Sequence, residues 1–127
     1  MTFAKDTAGA AALEFGLVLP VFLAVIIGIM QVAYMLWIDD LLHYAVNGAA
    51  RCGAVGSTVY PCAGSGATNM ISTADALFGM AVASIPAGTF VANSACSGSG
   101  LTARYTVTFL LVAPVTLGAS SCYPNYS

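Results

Sequence analysis

The stretch FGLVLPVFLAVIIGIMQVAYMLWI, residues 15–38, decides how this chain is built. It holds no charged residue. At 1.5 Å of rise per residue, about 20 residues already cross a hydrocarbon core of about 30 Å. Phe15 to Ile38 therefore predicts one membrane-crossing helix. A cleavable signal peptide competes with that reading. Its apolar region usually runs about 7–15 residues and closes on a small-residue cleavage site, whereas Asp39-Asp40 follows here, so the helix is read as retained. Pro20, with Gly16 and Gly28 on either side, predicts a kink or loosening near the first turns, a disturbance that membrane helices tolerate better than soluble ones.

Beyond the apolar run, Leu41, Leu42, Ala45, Val46, Ala49 and Ala50 recur at helical spacing, while Asp39, Asp40, His43 and Asn47 supply a polar face. The same helix is expected to continue to about Cys52. The composition agrees. Of 127 residues, 59% are hydrophobic and 6% charged, against about 25% charged in ordinary soluble domains. That balance excludes a freely soluble cytosolic monomer. The fixed cations are Lys5, Arg51 and Arg104 and the net charge is −2, so no basic stripe exists to neutralise phosphates, and nucleic acid is excluded as a partner.

The remaining chain is expected to form one small domain. Gly53 to Ala67 carries Gly53, Gly56, Pro61, Gly64 and Gly66 and reads as a loop. Met70, Ile71, Ala74, Leu77, Phe78, Ala81 and Ile85 form a helical stripe that Pro86 ends, with Ser72 and Asp75 as a capping signal, so a second, amphipathic helix is predicted. Thr89 to Cys96 and Leu101 to Val112 are rich in β-branched and aromatic residues and are separated by Ser97-Gly98-Ser99-Gly100, which predicts an antiparallel hairpin. Leu101, Ala103, Tyr105, Val107 and Phe109 share one face of its second strand. The tail from Pro114 to Ser127 reads as irregular. The fold class is thus α+β: a long N-terminal transmembrane and stalk helix, a second amphipathic helix, and a small antiparallel β-hairpin or sheet.

Cys52, Cys62, Cys96 and Cys122 all follow the apolar run. An even set on one side of a membrane suits a compartment in which disulfides persist. Four cysteines allow three connectivities; Cys52–Cys62 with Cys96–Cys122 is the one favoured.

Candidate chemistry is sparse. His43 is the single histidine, which leaves a histidine-pair metal site or a serine triad few candidate members, and no C-x-x-C or H-E-x-x-H spacing occurs. Asp39 and Asp40 are adjacent, so on a helix they point about 100° apart and read as a solvated stop at the membrane edge rather than a catalytic pair. The glycines of 53–66 lack the lysine of a phosphate-binding loop. No catalytic residue, metal ligand or cofactor is expected, and the chain is read as acting without catalysis.

Glu14 is the informative residue. A carboxylate beside a long apolar run costs a few kcal/mol at mid-bilayer unless it has a partner or an interfacial position; a first-turn acid favoured by the helix dipole is the plainer reading. Gly9-Ala10-Ala11-Ala12-Leu13-Glu14-Phe15 puts a glycine five residues before that acid, and this resembles the class III signal of type IV pilin-like proteins. The wider run to Cys52, with Leu17-Val18-Leu19-Pro20 and Ala49-Ala50-Arg51, resembles the TadE-like pseudopilins of tight-adherence (Flp) pilus systems. The resemblance implies a leader of residues 1–9, prepilin peptidase cleavage between Gly9 and Ala10, a hydrophobic helix and stalk over 10–52, and a disulfide-stabilised periplasmic or extracellular domain over 53–127. It implies that Glu14, fifth in the mature chain, meets a neighbour's N-terminal amine during assembly. It implies as partners the bacterial inner membrane, other pilin or pseudopilin subunits, the peptidase, and a pilus assembly platform with its ATPase motor. The rival reading is a small membrane-anchored or secreted binding domain that never polymerises.

Overall fold

The computed structural model describes residues 7–109 and 113–125. Its elements run α1 (Thr7–Val55), α2 (Ala67–Gly79), β1 (Phe90–Ala92), β2 (Ser99–Val107) and β3 (Val115–Tyr123), an α+β chain. It divides into two units, the first ending at Tyr34 and the second beginning at Met35. The boundary falls inside α1.

In the first unit α1 is apolar on every side, and its large side chains are all exposed: Leu13 at 69%, Leu17 at 70%, with Phe22, Ile27 and Met30 likewise uncovered. A helix that is hydrophobic all round either lies in a protein interior or spans a membrane. Pro20 is contained within the helix.

In the second unit one stripe of α1 is fully buried: Ile38, Leu42, Ala45, Val46 and Ala49. Successive steps of four, three, one and three keep these side chains on one face. They join a core completed by Met70, Ala74, Leu77 and Phe78 of α2, and by Phe90, Leu101, Ala103, Val107, Leu117 and Ala119 of the sheet. Phe78 meets Phe90 and Tyr105 edge to face, at centroid distances of 5.8 Å and 5.2 Å, within the range favoured by the ring quadrupoles. The sheet is antiparallel in the order β1-β2-β3, with Ala103 opposite both Phe90 and Ala119. Its outer face carries Arg104, Thr106, Thr116 and Ser120, and the Thr106 and Thr116 hydroxyls lie 3.1 Å apart.

Three expectations require correction. The helix read from Met70 to Ile85 begins earlier and ends sooner, at Ala67 and Gly79. Its N-cap position is Gly66, at φ 103°, a conformation that a side chain disfavours. Ser72 lies inside the helix, where its hydroxyl donates to the Asn69 carbonyl, and is no cap. The first strand stops at Ala92 because Asn93 turns the chain: its side-chain oxygen accepts from Ala95 N–H, and its carbonyl accepts from Cys96 N–H, an Asx turn. The second strand starts at Ser99 rather than Leu101, since Ser99 and Gly100 pair with Tyr123 and Cys122. It ends at Val107, short of the Val112 expected; residues 110–112 lie outside the described residues, as do residues 126–127 of the tail. The tail read as irregular holds β3, nine residues long. Its pattern is period two, with Val115, Leu117 and Ala119 turned inward between Thr116, Gly118 and Ser120.

Two disulfides close the second unit, Cys52–Cys62 and Cys96–Cys122, with Cα–Cα distances of 5.4 Å and 5.8 Å. The second lies against Gly100, where a Cβ would fall 2.9 Å from Cys96 Sγ.

Candidate assembly surface

The N-terminal part of α1 is the feature that sequence and structure both single out. Residues 1–6 of the expected leader, including Lys5, lie outside the described residues. Gly9 and Ala10, the expected cleavage pair, both fall within α1, which begins at Thr7; Gly9 is exposed. Glu14 is exposed as well. It stands about two turns into α1, and the favourable dipole effect on an acid falls off within the first turn. The plain reading of Glu14 as a first-turn acid therefore does not describe the helix as it stands. In a chain starting at Ala10, Glu14 would belong to the first turn.

From Ala11 to Val55 the helix is long and apolar enough to cross a membrane, which is compatible with membrane anchoring. The apolar surface meets aromatic residues at its far end, with Tyr34 at 46% and Trp37 at 50% exposure, the amphipathic rings that favour a membrane–water boundary. Asp39 is half-buried and Asp40 exposed just beyond them, followed by exposed His43, Asn47 and Arg51. Glu14 and these polar residues thus bracket an uncharged helical surface.

The four sequence-selected cysteines are placed away from the first unit, all within the second. Cys52 ties the last turn of α1 to the loop that precedes α2, and there Ala63 N–H donates to the Thr73 hydroxyl over 3.0 Å. Cys96 ties the turn before β2 to β3. A shallow concavity of about 660 Å³ opens beside them, lined by Gly53, Met70, Asn93, Ser94, Ser99 and Asn125 among others. Ser99 donates to the Asn125 side-chain oxygen over 2.7 Å there. This lining offers hydrogen bonds and apolar contact and contributes no acid–base pair. Sequence reasoning missed β3 and with it Asn125, which lies two residues beyond that strand's end.

Neither a curated protein nor a solved structure matches this chain. The family model described as TadE-like protein matches residues 9–51. That range opens at the glycine of the expected cleavage pair and closes at Arg51, covering the exposed apolar part of α1 and the buried stripe from Ile38 to Ala49. The match over residues 9–51 agrees with the resemblance read in the sequence.

Proposed function

We propose that this chain is a pilin-like structural subunit of a tight-adherence-type pilus, either a filament subunit or a minor pseudopilin that initiates assembly. The TadE-like match supports the coarser reading, a pilin-like protein associated with such a pilus. One observation carries the finer one: an uncharged, uniformly exposed helix surface leads directly into the helix of a compact, disulfide-closed unit. Such a surface is stable in lipid or against other helices of its kind, and in water it is exposed far beyond an ordinary monomer surface. The protein acts by assembly, without catalysis. Before assembly α1 anchors it in the bacterial inner membrane, with the second unit on the periplasmic side. Afterwards the apolar helices pack against one another in the filament core, where small residues such as Ala11, Ala12, Gly16 and Gly28 allow close approach.

The first test is the mature N-terminus, read by mass spectrometry in cells with and without prepilin peptidase. A peptidase-dependent start at Ala10 is the expected result. An intact Met1, or a start near Asp39, would instead favour a plain anchor or a signal peptide. In the same cells Glu14→Ala should abolish incorporation into surface filaments while leaving membrane insertion intact.

A further inference from the structure

The second half of α1 carries a second stripe beside the one buried in the core. Trp37, Leu41, Tyr44, Gly48, Arg51 and Val55 recur at steps of four, three, four, three and four, and so share a face roughly a third of a turn from the buried one. Tyr44 is 61% exposed and Val55 68%. Gly48 leaves the backbone bare beside Leu77 of α2, whose Cδ1 would lie 3.0 Å from a Cβ placed there. Along this stripe runs a groove of about 420 Å³, bounded by Tyr44, Gly48, Arg51, Val55, Pro61 and Leu77. Its walls are mainly apolar, with Arg51, Ser57 and Tyr44 supplying polar groups.

Charge chooses the occupant. The described part of α1 carries one cation, Arg51, and three carboxylates: Asp39 and Asp40 at the far end of the apolar run, and Glu14 alone at its start. Glu14 lies in the first unit and Arg51 in the second, and a second copy can bring the two charges together. A segment suited to the groove needs to be helical, apolar, narrow and singly acidic. Residues 11–17 of α1 are Ala-Ala-Leu-Glu-Phe-Gly-Leu, with Leu13, Phe15 and Leu17 all exposed at 66–70%. We infer that this groove receives the N-terminal α1 segment of a second copy of the chain, with Glu14 of that copy paired to Arg51.

The inference rests on the pilin-like reading and specifies how subunits are staggered. Copies inserted in one membrane lie parallel, and a parallel stagger that brings residue 14 of one level with residue 51 of the next is heterologous. It uses two different surfaces and leaves both ends open, the geometry of a filament rather than of a closed dimer. A carboxylate carried into an apolar helix packing needs its charge compensated, and Glu14 has oxygens enough to accept from Arg51 as well as from an N-terminal amine.

The test uses full-length chains in cells that assemble filaments. Two tagged copies are co-expressed, one with Val18→Cys and one with Val55→Cys, exposed positions one turn beyond Glu14 and Arg51 that leave both charges in place, and mild oxidation is followed by non-reducing electrophoresis. The expected result is a mixed-tag dimer, and none when Val55→Cys is replaced by His43→Cys, about three turns away on the polar face. Separately, Arg51→Glu should lower surface filament yield about tenfold, and Arg51→Lys should keep most of it. Filaments that form normally without the 18–55 cross-link, and that tolerate Arg51→Glu, would overturn this inference while leaving the pilin-like reading intact. Absence of filaments from the unaltered, peptidase-processed chain would overturn both.

Discussion

The two parts of α1 are made from the same kinds of residue and are used differently. Before Tyr34 the helix carries apolar side chains on all sides and leaves them exposed; after Met35 it buries Ile38, Leu42, Ala45, Val46 and Ala49 on one face and shows Asp40, His43 and Asn47 on another. The difference teaches that hydrophobicity alone does not assign a helix to a core. What assigns it is the confinement of apolar residues to one stripe, together with a partner surface of matching period. In the second part α2 and the sheet supply that surface. In the first part nothing within the described residues does.

Removing buried volume should separate the two parts most sharply. Phe78→Ala deletes a fully buried ring that touches Phe90 and Tyr105, and should cost the second unit about 3–5 kcal/mol. Leu42→Ala should cost about 2–5 kcal/mol. Leu23→Ala, in the first part and 47% exposed, should leave the denaturation midpoint of the detergent-solubilised protein unchanged. A large effect at Leu23 would mean that the first part is packed within the single chain, and the contrast would fail.

Reduction is the next largest effect, and it should fall on one side only. In the chain-entropy account, a cross-link stabilises more as its loop lengthens. Sequence separations of 26 for Cys96–Cys122 and 10 for Cys52–Cys62 correspond to about 3.5 and about 2.7 kcal/mol. Replacing Cys96 and Cys122 together by serine should therefore lower stability somewhat more than replacing the other pair. Near-ultraviolet circular dichroism of the second unit should be lost first on reduction, with the helical signal of the first part retained in detergent.

Glycines provide a finer probe. At Gly98 a Cβ would meet the Tyr123 carbonyl oxygen and come within 2.9 Å of Pro124 Cα. Backbone cannot yield as a side chain can, so Gly98→Ala should cost about 1–3 kcal/mol. At Gly48 the neighbour is the flexible end of Leu77, and a gain of up to about 1 kcal/mol in helix propensity offsets the crowding, so stability should change little. At Gly28 nothing lies within 4 Å. Gly28→Ala should leave the isolated chain no less stable, and any defect should show in filament yield, where neighbouring helices approach.

Much of this organisation was legible in the sequence because it is written in period and composition. The uncharged run from Phe15 to Ile38, the stripe that continues to Cys52, and the resemblance around Gly9 and Glu14 each depend on residues near one another in the chain. What was not legible depends on pairing across distance. β3 reads as turn-like because Gly118, Ser120 and Ser121 dilute its β-branched residues; it becomes a strand because β2 offers a partner edge along nine positions. The start of α2 was misplaced for a similar reason. Ser72 resembles a cap, but Gly66 turns the chain earlier and Thr73 donates back to the Asn69 carbonyl over 2.8 Å, a contact that capping patterns do not describe. The groove beside Arg51 needed the position of Leu77, which no local pattern supplies.

The smallest expected effect concerns Asp75, which lies on the outer side of α2 and shares a concavity with Ile71, Val82 and Ile85. Desolvation by these neighbours raises its carboxyl above the usual carboxylate value. A carboxyl whose pKa is higher folded than unfolded favours the folded state when protonated, and that contribution is lost as pH rises through the folded value. Because the group remains largely open to water, the size of the effect is heavily screened. Asp75→Asn should thus make the second unit slightly more stable at neutral pH and flatten the part of its stability profile that falls with rising pH above about pH 4. Denaturant titrations across that range read both consequences. If Asp75→Asn instead destabilised the unit at pH 7, the carboxylate would be held by a favourable contact, and α2 would present an ionic face where the structure shows an apolar one.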